Sequence, residues 1–160
     1  MIERLLPGVE HLQNPHPLVV HYPLAFLLGA AIAYVAAWIW RSDRLAGIAF
    51  ALLLAGTLFG AVAIGTGLYA DDSVMVDRSV RAALLVRHKT LMLTTGGFAV
   101  ALSVWAAIAR PFPRRLRIVF VLGLLAMIGV MTKGADDGGR MVYDYNAGGS
   151  ACGQPIEFTR

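Results

Sequence analysis

A chain of 160 residues is the size of one domain, but 58% hydrophobic against 15% charged residues and a mean hydropathy of +0.65 put it outside the water-soluble range. A net charge of +4 and a pI near 9.6 would suit a nucleic acid, yet the arginines cluster beside apolar runs and read as topology signals, so no nucleic-acid partner is expected. The single cysteine, Cys152, excludes an internal disulfide and a cysteine-built metal cage, and leaves metal chemistry to His, Met, Asp or Glu.

The opening "MIERLLPGVEHLQNPHP" lacks the basic start, short apolar core and small-residue cleavage site of a signal peptide, so the first helix is expected to be retained. In "NPHPLVVHYP", Pro15 and Pro17 bias Asn14 and His16 towards extended backbone, and Pro17 suits the start of a helix. Pro23 has no N–H, which frees the Val19 carbonyl and loosens the first turn.

A membrane-spanning helix needs about 20 apolar residues. Four windows qualify: 18–40, 45–69, 90–109 and 116–133. The first and second, and the third and fourth, are joined by short turns, which predicts an all-α, integral membrane four-helix bundle of up-down-up-down topology, a single domain over 1–160. Gly56 and Gly60 on the second helix form a GxxxG repeat, which admits a neighbouring backbone or, alternatively, a flat cofactor. Between the second and third helices, Val76, Val80, Leu84 and Leu85 alternate with Arg and Asp, as expected of a short amphipathic helix on the membrane surface. The tail 134–160 is rich in Gly, Asp and Asn and reads as loop.

Even-numbered crossings put the N-terminus, the 71–89 connection and the tail on one face, A, and the loops "RSDR" and "RPFPRRLR" on the other, B. The face B loops hold six arginines against one acid, Asp43, whereas face A is nearly neutral. Arginine-dense short loops mark the cytoplasmic side. The expected location is therefore a bacterial inner membrane, multi-pass, with both termini extracytoplasmic.

All four histidines, His11, His16, His21 and His88, fall on face A. His11 reads as a solvated interfacial ring. His21 and His88 each stand at the start of an apolar helix, and two imidazoles on different helices are what a bis-histidine haem requires. A hydrogen-bonded pair, a proton relay or a copper or zinc site fits the same two residues. His21 lies about a turn deeper than His16 among Val20, Leu24 and Ala25, so it is the expected ligand, with His16 as a propionate or hydrogen-bond partner. Arg140 is the candidate for a propionate, because guanidinium grips carboxylate through two bonds. No nucleophile elbow, phosphate loop or HExxH motif is present, so hydrolytic and nucleotide chemistry have no support.

Four landmarks, "NPHPLVVHYP", "TGLYADD", "RHKTLML" and "GGRMVYDYNAGG", occur in the order seen in the domain of unknown function 2231 family, which this chain resembles over nearly its whole length. The resemblance implies a four-helix bacterial membrane protein without an established activity, whose relatives are fused to or encoded beside Rieske or c-type cytochrome modules. It matches His16, His21 and His88 to the family's histidines. It departs in the tail, where members commonly carry a histidine and this chain has Tyr145 and Asn146.

Two functions follow as expectations. One is a small membrane-anchored b-type haem protein, with His21 and His88 on the iron, that transfers electrons at the extracytoplasmic face to a redox protein. The other is a cofactor-free accessory subunit of a larger respiratory or photosynthetic membrane complex. In either case the chain is more an electron-transfer or accessory subunit than a catalyst on its own.

Overall fold

The computed structural model describes residues 15–71, 74, 76–145 and 147; His11, Asn146 and Cys152 lie outside these. Four helices are long and apolar enough to cross a membrane: α1 (His16–Ile39), α2 (Asp43–Ala70), α3 (Arg78–Ala109) and α4 (Arg117–Tyr143). No strand occurs among the described residues. Helix α1 packs on α2 and α4, α2 also packs on α3, and α3 on α4, which closes a four-helix bundle.

The polarity of the bundle is that of a protein in lipid. Ile32, Leu58, Val62, Val104, Ile108 and Leu122 are all more than half exposed on the outer surface, while small residues such as Ala30, Ala49, Ala99 and Ala106 are buried. Small residues between helices let backbones approach where no hydrophobic force drives helices together. Gly56 shows this directly, since a Cβ there would lie 2.6 Å from Leu27 Cδ2 of α1. At the face B end, buried Tyr34 packs edge-on against Phe120 at 4.9 Å between centroids, and its O–H donates to the Pro111 carbonyl at 3.1 Å.

Two local expectations are revised and one is met. His16 already belongs to the first helical turn despite preceding Pro17, because a missing N–H is harmless at the start of a helix. The regular helix is interrupted at Val20, where the missing N–H of Pro23 loosens the turn as expected. The 74–86 segment is not a separate surface helix: from Arg78 it runs into α3 through a π-helical turn at Arg81–Leu85. Its apolar residues Val80, Leu84 and Leu85 are buried against Met141 of α4, so the partner of this face is another helix.

Helix α4 does not end near Lys133 but continues to Tyr143. Glycine weakens an exposed helix, yet here Gly134 and Gly138 face α3. A Cβ at Gly134 would meet Leu91 Cβ at 3.1 Å as well as Met92, and one at Gly138 would meet His88. Lys133–Asp136 and Arg140–Asp144 pairs, three and four residues apart, support the same turns.

Candidate functional site

Polar chemistry concentrates at the face A end, where α1 and α3 begin and α2 and α4 end. His16, at the start of α1, puts Nδ1 3.2 Å from Thr66 Oγ1 near the end of α2. The Thr66 hydroxyl also lies 3.0 Å from the Ala63 carbonyl, to which it can donate, so His16, Thr66 and the turn at Ala63 form one hydrogen-bonded group. The ring lies on the backbone of Gly67, where a Cβ would come within 2.9 Å of His16 Cε1.

His88, in the first turns of α3, is held in the same way by α4. Its Nδ1 lies 2.7 Å from the Gly134 carbonyl, a group that only accepts, so Nδ1 carries the proton. The ring rests on Gly138, where a Cβ would stand 3.0 Å from His88 Cε1. When neutral, His88 therefore carries its lone pair on Nε2.

His21 is placed otherwise. It is exposed at the outer end of α1, with Nδ1 3.1 Å from the Pro17 carbonyl of the preceding turn. The structure thus anchors His16 and His88 on neighbouring helices at the same end of the bundle, whereas His21 is exposed and engaged within its own helix. Arg140 is engaged along its own helix by Asp144 at 3.2 Å.

Beside the histidines is an ionic network that the sequence alone did not single out. Asp137 is fully buried and accepts two hydrogen bonds from Arg87, from Nε at 2.6 Å and from a terminal nitrogen at 2.5 Å. Lys133 adds a second cation 3.6 Å from the same carboxylate. On the other side of His88, Lys89 reaches Asp71 of α2 at 2.9 Å, and Arg81 approaches Asp71 at 3.5 Å and donates to its carbonyl at 2.8 Å. Arg87, His88 and Lys89 are consecutive, and they join α3 to α4, α4 and α2 respectively.

Residues 13–151 match the profile of a family described as predicted membrane protein, DUF2231. The chain belongs to this family. No curated protein and no solved structure matches this DUF2231 protein. The match spans both histidine anchors and all four helices, including the α4 extension to Tyr143.

One signal in the sequence pointed to the missed residues. Gly134 and Gly138 are four apart, the same small-residue spacing as Gly56 and Gly60, which marks a close helix contact as well on α4 as on α2. Thr66, Gly67 and Asp137 carried no such signal, since their roles depend on which helix lies opposite.

Proposed function

We propose that this protein is a small membrane-anchored b-type haem protein that transfers electrons at the extracytoplasmic face, with His16 and His88 as the axial pair. The observation that carries the reading is the matched anchoring of the two rings. Each holds Nδ1 against an oxygen of a neighbouring helix, Thr66 Oγ1 or the Gly134 carbonyl, and at His88, where that oxygen can only accept, this leaves the lone pair of the neutral ring on Nε2. Anchoring one ring nitrogen to orient and polarise the other is the usual arrangement around histidine ligands.

Two histidine ligands are enough for haem. A porphyrin brings its own equatorial nitrogens and asks the protein for two axial ones. When bound, haem b would supply a one-electron couple. Gly67 and Gly138 would keep side chains away from the two rings that hold it.

Orientation follows the arginines. Face B, with Arg41, Arg44, Arg110, Arg114, Arg115 and Arg117, is taken as cytoplasmic, which puts the histidine end on the extracytoplasmic side of a bacterial inner membrane. The electron partner is then a soluble or membrane-bound redox protein docking on face A.

Reduced-minus-oxidised spectra of protein purified from haem-replete cells test the reading. Sharp low-spin b-type bands are expected, lost in His16→Ala and in His88→Ala and kept in His21→Ala. A colourless but stably folded preparation overturns it and leaves the accessory subunit of a larger membrane complex. Loss of the bands in His21→Ala with retention in His16→Ala returns the axial role to His21.

A further inference from the structure

The end of the bundle opposite the histidines holds an arginine-lined groove that electron transfer does not use. A cavity of about 540 Å³ is bounded by Trp38, Ile39, Arg41 and Arg117. A second, of about 350 Å³, shares Trp38, Arg41 and Arg117 and adds Arg110 and Arg114. The first lies within the range of about 300–1,000 Å³ common to small-molecule sites.

The charge in this groove is uncompensated. Its one acid, Asp43, is engaged by Arg114 at 3.2 Å, while Arg41, Arg110 and Arg117 have no acidic partner among the described residues. Backbone conformation adds an independent observation. Arg41 and Arg110, which follow α1 and α3, have φ of 49° and 51°, the left-handed region in which a helix end ordinarily has glycine. An arginine side chain is kept at both positions at a conformational cost. Charge alone, as a topology signal, needs neither that backbone nor convergence on one groove.

The rim of the groove is apolar. Ile39 and Trp40 are about two-thirds exposed at the end of α1, and Leu116 and Ile118 are more than half exposed at the start of α4. Tryptophan beside arginine at this depth is the composition of a headgroup region. We propose that this groove binds the phosphate of an anionic phospholipid, with Arg41 and Arg117 gripping the phosphodiester, Arg110 and Trp38 completing the wall, and the acyl chains running along the exposed apolar residues. Guanidinium forks match phosphate oxygens two at a time, and basic pockets between helices on the cytoplasmic side are suited to acidic headgroups.

The test uses the full chain, delipidated in neutral detergent, with phosphatidylglycerol, phosphatidylcholine and inorganic phosphate as probes, read by native mass spectrometry and thermal unfolding. Phosphatidylglycerol should be retained and should raise Tm, and phosphatidylcholine and inorganic phosphate at equal concentration should not. Arg41→Gln with Arg117→Gln should weaken retention about tenfold, and Arg44→Gln with Arg115→Gln, arginines of the same loops outside the groove, less than about twofold. Arg41→Lys with Arg117→Lys, which keeps charge and topology but removes the forks, should also weaken it and covers the case in which the glutamine pair does not fold. Equal losses in the two glutamine pairs, full retention in the lysine pair, or equal retention of phosphatidylcholine would overturn the proposal. A matching effect of inorganic phosphate would replace the lipid by a soluble anion and overturn it too.

Discussion

Arg87 of α3 donates two hydrogen bonds to Asp137 of α4, a carboxylate with no exposed surface, one residue before His88. Such a pair positions more than it stabilises: desolvating both charges offsets much of their attraction, but removing one partner strands the other. Arg87→Ala leaves Asp137 buried with Lys133 as its one remaining cation, 3.6 Å away. It should lower Tm by roughly 5–10 °C. The Arg87→Ala/Asp137→Ala double variant should fall by less than the sum of the two single losses, because the two residues act as one unit. Thermal unfolding of the four proteins in detergent gives this cycle directly, and additive losses would show that the fork does not couple the helices.

The four crossings were legible because the membrane imposes a length and a polarity on each apolar run, independent of what packs beside it. What was not legible depended on neighbours. "GADDGG" reads as loop when glycine is judged for an exposed helix, but in α4 Gly134 and Gly138 admit Leu91, Met92 and His88 of α3. The 74–86 segment has the amphipathic pattern of a surface helix, and the pattern cannot say that Met141 will cover its apolar side. For the histidines, depth along α1 points to His21, but the position of His16 against Gly67 and Thr66 is a property of α2, 50 residues away in sequence and adjacent in the bundle, and no pattern in the sequence shows it.

The two glycines of the α2 repeat should behave differently. A Cβ on Gly56 would lie 2.6 Å from Leu27 Cδ2 and 3.1 Å from the Leu27 backbone nitrogen, so the α1–α2 contact must open. At Gly60 the nearest atom, Pro23 Cβ, is 3.9 Å away, an ordinary contact. Gly56→Ala should cost about 1–3 kcal/mol of stability, and Gly60→Ala less than about 0.5 kcal/mol. Equal unfolding temperatures for the two variants would contradict the close approach at Gly56.

The orientation is checked by a reporter fused after Arg160. With six arginines in the face B loops held inside, a periplasm-dependent reporter should be active and a cytoplasm-dependent one silent. Moving charge should matter as well: replacing Arg110, Arg114, Arg115 and Arg117 together with glutamine should yield a mixed population, detectable as partial activity of both reporters. The reverse pattern in the unaltered chain would put the histidine end in the cytoplasm.

The glycine seats beneath the histidines give the most local test of the site. A methyl group at position 138 would stand 3.0 Å from His88 Cε1 and 3.1 Å from Nδ1, and one at position 67 would stand 2.9 Å from His16 Cε1. The rings are not free to yield, because His88 is tied to the Gly134 carbonyl at 2.7 Å and His16 to Thr66 at 3.2 Å. Gly138→Ala and Gly67→Ala should therefore tilt the imidazoles and cost about 1–3 kcal/mol each. Gly97 of α3, where a Cβ meets nothing within 4 Å, is the control: alanine there should be neutral or stabilise by up to about 1 kcal/mol through its better helix propensity. If the axial reading is right, the first two variants also shift the midpoint potential or broaden the low-spin bands while Gly97→Ala leaves both unchanged. Unaltered stability in Gly138→Ala and Gly67→Ala would mean that the rings are not seated on these backbones, and the matched Nδ1 anchoring of His16 and His88 would lose its structural basis.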